Sequence, residues 1–189
     1  TLTPVYAAGG DLAVPAWATL EEPPRFTLIL TGKTPAAATV KAPDSITYGE
    51  TLGDPVAELE TGCAGTVAWN YVGVDGTRYD SPDKPTAAGT YRAVATLTSA
   101  THSGSWTSEA FTIRPRAVTV SGITGTAREY DGTTNANAAL NPAKAVISGR
   151  IGGDDLQVSA SGYFVDKNVG RDKTVVIFNI TLAGEDAGN

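Results

Sequence analysis

Apolar and polar residues alternate along much of this chain with the period of two that marks half-buried strands. The clearest run is Tyr-Arg-Ala-Val-Ala-Thr-Leu, where Tyr91, Ala93, Ala95 and Leu97 fall on one side and Arg92, Val94, Thr96 and Thr98 on the other. The first set predicts a core face. In the run that follows Lys173, the set Val176, Phe178, Ile180 and Leu182 is more consistently apolar than Val175, Ile177, Asn179 and Thr181, so it is expected to cover a core. Runs rich in Val, Ile, Thr and aromatic residues, bounded by Gly, Pro, Asp and Asn, predict strands at residues 25–31, 37–42, 65–72, 89–98 and 107–113. A second series covers residues 116–123, 144–148, 155–163 and 172–182. Only residues 135–146 lean toward helix, and Pro142 limits them to one turn at most. The pattern predicts an all-β protein built from small β-sandwiches, Ig-like or β-grasp-like.

An internal echo organises these elements. Residues 40–52 read VKAPDSITYGETL and residues 118–134 read VTVSGITGTAREYDGTT, each a strand followed by an aromatic-glycine turn. The spacing from Tyr48 to Tyr130 implies a repeat of roughly 80 residues, the size of a small sandwich module. FTIRPRAVTV places a junction at Pro115, and LILTGKTPAAATV places one at Pro35. The expected organisation is therefore a tail of a preceding module or an extension over 1–35, one domain over 36–114 and another over 115–189. Proline at both junctions fixes φ and predicts stiff, elongated linkage.

Composition then removes classes of function. One histidine, His102, and one cysteine, Cys63, cannot build a multi-ligand zinc site, and no second thiol exists for an internal disulfide. A net charge of -6 opposes binding to a phosphate backbone, so nucleic acid is not an expected partner. No apolar run approaches the roughly 20 residues of a membrane-spanning helix, and no basic-then-apolar leader is seen, so no membrane insertion is expected and any signal or anchor is expected elsewhere. The lack of methionine suggests an internal start at Thr1.

The run AREYDGTTNANAAL, followed by ISGRIGGDDLQVSASGYFVDKNVGRDKTVVIFNITLAGEDAGN, resembles the YDG domain of large bacterial adhesins and surface proteins. The matching residues are Tyr130, Asp131, Gly132, Thr133 and Thr134, then Gly153, Asp154 and Asp155, then Phe164, Asp166, Lys167, Asn168, Gly170, Lys173 and Val175. ITYGETL and KPTAAGTYRAVATL, earlier in the chain, are similar to the MBG domains that accompany YDG repeats in tandem arrays. The resemblance implies a non-catalytic spacer of an exported, extracellular cell-surface protein, whose partners are neighbouring repeat domains of its own chain. It also implies a final strand after the terminal Ala-Gly-Asn. The stretch ETGCAGTVAWNYVGVDGTRYDSPD does not map onto the family pattern.

Candidate sites divide between scaffold and chemistry. Tyr130-Asp131-Gly132 before two threonines has the chemistry of a turn: Asp131 bonds local backbone, Gly132 supplies positive φ and Tyr130 packs. Tyr91 is expected to enter the core from a strand opened by Gly89. Asp131, Asp154, Asp155 and Asp166 are the calcium candidates, since that ion takes about six to eight oxygens, although no calcium-loop spacing is present and no cofactor is expected. Paired carboxylates could also serve glycoside hydrolysis, but that needs an enclosing cleft. Cys63 and His102 lack an orienting group and an oxyanion hole nearby, and His102 is expected in a loop. Asp166, Lys167 and Asn168 invite an isopeptide cross-link, yet neighbours on a strand point to opposite faces. The second functional reading is a module that binds a glycan or host surface protein through Trp69, Tyr71, Tyr79 or Trp106, with Trp17 as a further stacking candidate.

Overall fold

The computed structural model describes residues 32–189, of which Lys33–Asn189 form one compact all-β unit. The predicted strand at 25–31, Trp17 and most of the expected 1–35 segment lie outside the described residues. In chain order the strands are β1 (Thr34–Pro35), β2 (Ala38–Lys41), β3 (Ile46–Thr47), β4 (Val56–Leu59), β5 (Thr66–Val74), β6 (Asp80–Ser81), β7 (Gly89–Thr98), β8 (His102–Thr107) and β9 (Phe111–Arg114). The second half adds β10 (Thr119–Ser121), β11 (Thr124–Gly125), β12 (Leu140–Asn141), β13 (Val146–Ser148), β14 (Gln157–Phe164) and β15 (Val175–Ala183). Residues 135–146 carry two single 3-10 turns, Asn137–Ala139 and Pro142–Lys144, on either side of β12, rather than one turn at most. Among the described residues no helix is long and apolar enough to cross a membrane.

The first half is built around β7, whose alternation holds as predicted: Tyr91, Ala93, Ala95 and Leu97 are buried, while Thr96 and Thr98 face solvent. β7 pairs antiparallel with β5 along its whole length, and its other edge is shared by β8 over Val94–Thr98 and by β9 over Gly89–Tyr91. The expected strand at 107–113 is therefore broken, and His102 begins a strand instead of lying in a loop. Ser108 makes the break. Its amide donates to the Ala93 carbonyl at 2.9 Å, its Oγ accepts the Ala93 amide at 3.0 Å and donates to the Glu109 carbonyl at 2.7 Å. A buried hydroxyl with all its bonds made lets the chain step from one register to the next without orphaned backbone groups.

Leu52, Tyr71, Tyr91, Ala93, Phe111 and Ile113 form the core beneath this sheet. The Tyr91 and Phe111 rings stack with centroids 5.8 Å apart, and Tyr71 and Tyr79 meet them edge-on. The alanines at 93 and 95 leave room for that aromatic layer, because their register partners on β5 are Tyr71 and Trp69.

The second half consists of three two-stranded ribbons, β10–β13, β11–β12 and β14–β15. Here the predicted core face of β15 is overturned over most of its length: Val176, Phe178 and Ile180 are 38%, 42% and 47% exposed, whereas Val175 and Ile177 are half-buried, and of the predicted set only Leu182 is half-buried. Two physical causes act together. Among the described residues no other element is packed closely over that face of the two-stranded ribbon, so its side chains stay open to solvent. The register also slips between Ser159 and Ser161, where Asn179, with φ 50°, adds a residue to β15 and reverses which parity points inward.

Candidate functional site

Two constructions gather the chemically distinctive side chains. The first is the turn at 128–133. Arg128 pairs with Asp131 through Nη1, donates from Nη2 to the Thr133 carbonyl at 3.0 Å, and lies 5.3 Å above the Phe164 ring. Asp131 Oδ1 also accepts the Thr133 amide at 2.9 Å and its hydroxyl at 2.8 Å, and Gly132 has φ 77°. The turn reading of Asp131 and Gly132 is what the geometry displays. Tyr130 differs from expectation: it is 62% exposed and does not pack, because Arg128, two positions earlier, takes the inward place over Phe164.

The Arg128 guanidinium, helped by the two bonds from Thr133, holds the Asp131 carboxyl well below the usual carboxylate range. A depressed folded pKa contributes stability that is complete above the unfolded value of about 3.9 and is lost only as pH falls through the folded value. In an NMR titration of side-chain carboxyl carbons, Asp131 is therefore expected to stay ionised well below the ordinary aspartate midpoint of about 3.9. Arg128→Ala should return its midpoint toward about 3.9. An unchanged midpoint in that variant would show that the Thr133 bonds alone set it.

The second construction is the joint between the two halves. The Tyr48 hydroxyl donates to Asp154 Oδ1 at 2.7 Å, and the same carboxylate accepts the Ile151 amide at 3.0 Å. This carboxylate raises the Tyr48 phenol above its usual pKa. Asn189 bridges back: its Oδ1 accepts the Ala88 amide at 2.9 Å and its carbonyl accepts the Arg116 amide at 3.1 Å. Asp186 anchors it by accepting from Asn189 Nδ2 at 3.0 Å and from the Asp155 amide at 2.8 Å. Arg116 completes the set by donating from Nε to the Gly149 carbonyl at 2.9 Å. Ile151 of the second half lies over Gly49, where a Cβ would come within 2.6 Å of its Cδ1. A small cleft of about 130 Å3 remains between Tyr48, Arg116, Asp154 and Asn189.

The calcium candidates are dispersed. Asp131 is engaged by Arg128, Asp166 by Lys173, and Asp154 and Asp155 belong to the joint; no group of three or more metal-type ligands forms among the described residues. Asp166 is paired with Lys173, which lowers its pKa, and accepts the Asn168 amide; Lys167 and Asn168 are exposed beside it. Tyr71 is 3% exposed and belongs to the core, so it presents nothing to a ligand. Tyr79 packs edge-on against Tyr91 and its hydroxyl donates to the Asp83 carbonyl at 2.9 Å. Trp69 and Trp106 flank Ala95 on the inward side of the sheet and are half-buried. These four aromatics do not form one exposed face, because the alternation that buries Tyr91 brings Trp69 and Tyr71 to the same side. Cys63 lies 3.6 Å from Glu60, and burial followed by that carboxylate raises its thiol pKa; His102 Nδ1 is 2.8 Å from the Thr101 hydroxyl. The two do not meet.

Tyr48, Arg116, Asp186 and Asn189 escaped sequence reasoning as site residues. The one available signal was the echo that sets Tyr48 in the place of Tyr130.

Residues 114–189 match the YDG domain family. No curated protein and no solved structure matches the chain.

Proposed function

We propose that the chain is a non-catalytic spacer segment of an exported bacterial surface protein, in which an MBG-like module and a YDG module, each a small β-sandwich in tandem, carry other regions away from the cell. The observation that supports this reading is the joint. A spacer must transmit position from one module to the next, and the bonds of Tyr48 to Asp154 and of Ala88 to Asn189 tie the two halves at two points, while the Arg116 amide holds Asn189 in place from within the second half. The Tyr48 hydroxyl, the Asp154 and Asp186 carboxylates and the Asn189 side-chain amide are engaged within the joint. Neighbouring repeats of the same chain are its partners, and no cofactor is required.

Residual dipolar couplings from the full chain test the reading. One alignment tensor should fit residues 33–114 and 115–189 together, and in a Tyr48→Phe, Asp154→Asn double variant the two sets should require separate tensors. Separate tensors in the unaltered chain would overturn the proposal.

A further inference from the structure

The β14–β15 ribbon carries no charged residue in either strand, over Gln157–Phe164 and Val175–Ala183, in a chain of net charge -6. Its outer face is apolar: Tyr163, Val176 and Phe178 are 45%, 38% and 42% exposed, and the Tyr163 and Phe178 rings lie 5.9 Å apart. Exposed apolar surface depleted of charge is the composition of an interface core. Three features of β15 describe what meets it.

The first is an open edge. β15 pairs with β14 on one side, and among the described residues no backbone hydrogen bond joins Val175–Ala183 to anything outside β14. Edge strands that stay single are blunted by lysine, proline or an inward charge; β15 reads VVIFNITLA and has none of these, so its free N–H and C=O groups are a template for another strand. The second feature is the order of exposure. From Val176 to Ala183 it runs exposed, half-buried, four exposed, half-buried, exposed, the same in both directions. A copy of β15 set antiparallel to it, with Val176 opposite Ala183 and Phe178 opposite Thr181, therefore keeps exposed side chains together on one face and brings the half-buried Ile177 against Leu182 on the other. The bulge at Asn179 and Ile180 then falls on the two-fold axis, where it meets its own copy and the residue counts on the two sides stay equal. The third feature is charge at the ends. The connection after β14 holds Lys167, Arg171 and Lys173 against Asp166 and Asp172. At the other end lie Asp154, Asp155, Glu185 and Asp186, where the Asp186 amide donates to the Asp155 carbonyl at 3.3 Å. Antiparallel pairing brings the more basic end of each copy beside the acidic end of the other, whereas parallel pairing sets acid on acid.

We propose that two copies of the chain meet along β15, edge to edge and antiparallel about a two-fold axis between Asn179 and Ile180, merging two ribbons into one four-stranded sheet. Such an interface is isologous, each patch being its own complement. The exposure order of β15 and the opposed charges at the ends of the ribbon meet that condition in a single chain, and an unrelated strand would have to match both. An edge of this length buries less than about 1,000 Å2, so the pairing is weak and reversible. The inference goes beyond the spacer reading and does not rest on it, since pairing of copies needs the edge alone.

Sedimentation equilibrium of the full chain up to about 1 mM, with amide exchange followed by NMR over the same range, tests it. A monomer-dimer equilibrium is expected, together with slowing of at least fivefold, growing with protein concentration, at alternate amides of β15. In an equal mixture of isotope-labelled and unlabelled protein, intermolecular NOEs should join Phe178 to the second copy's Thr181 and Ile177 to its Leu182, a measurement that needs no variant. Phe178→Glu with Thr181→Glu sets like charges opposite one another twice and should weaken dimerisation at least tenfold. Phe178→Lys with Thr181→Glu sets unlike charges at the same places and should restore it. Both side chains are exposed, and unchanged exchange in β7 would show that each variant keeps its fold. A chain that stays monomeric at 1 mM, or a dimer whose β15 amides are unprotected, would overturn the proposal. So would protection of β15 that does not vary with concentration, which would place the cover within the chain. Equal weakening by the two double variants, or intermolecular NOEs between Phe178 and Phe178, would overturn the antiparallel register.

Discussion

Tyr91→Ala is expected to lower the stability of the first half by about 3–5 kcal/mol, the cost of deleting a large buried aromatic and leaving its cavity. Tyr91 is 1% exposed and supports Phe111 by stacking and Tyr79 by an edge-on contact, so its loss removes the centre of the aromatic layer and leaves both neighbours without a wall. Domains are stable by only about 5–15 kcal/mol in total, which makes this a change that can unfold the half outright. Tyr91→Phe separates packing from polarity: it keeps the ring and loses only the bond from the hydroxyl to the Ala87 carbonyl at 2.8 Å, worth about 1 kcal/mol. Chemical denaturation followed by tyrosine and tryptophan fluorescence measures both. Similar losses for the two variants would show that the hydroxyl, and not the ring, carries the contribution.

Gly184→Ala is expected to cost about 2–5 kcal/mol, combining an unfavourable positive φ with overpacking. Gly184 follows β15 with φ 112°, and a Cβ there would collide with the Asp155 carbonyl, whose carbon would be 2.8 Å away. The collision falls on the residue whose amide and carbonyl hold Asp186, so the damage passes to Asn189 and then to the joint. Calorimetry should show a lowered transition, and the dipolar couplings of the two halves should diverge as they do for the Tyr48 and Asp154 double variant. A stable Gly184→Ala protein with an intact joint would mean that the 184–189 segment shifts freely.

Legibility differed between the halves for a physical reason. The alternation in β7 could be read directly because that strand is paired on both edges and buried on one face, so every second residue has one environment. The same reasoning failed on β15. Its apolar set is real, but among the described residues no other element is packed closely over that face of the ribbon, and a single left-handed residue at Asn179 exchanges the two faces. Ser108 shows the same limit in the other direction. A serine in a strand-like run carries no local sign that its hydroxyl will replace a backbone partner of Ala93. The turn at Tyr130-Asp131-Gly132 was legible where its chemistry is local, in the bonds of Asp131 to Thr133, and illegible where it depends on Arg128 reaching Phe164.

All-β character, the strands around residues 38–41, 66–74, 89–98 and 157–164, and the turn at 131–133 follow from alternation, β-branched content and the φ preferences of Asp and Gly, which act over a few neighbouring residues. The joint does not. Tyr48 and Asp154 are separated by 106 positions, and Ala88 and Asn189 by 101, so their meeting depends on how two independently patterned halves are brought together. Burial was likewise a tertiary outcome: Tyr71 is hidden and Tyr130 and Phe178 are open because of the neighbours each strand acquired, and aromatic character alone is the same in all three.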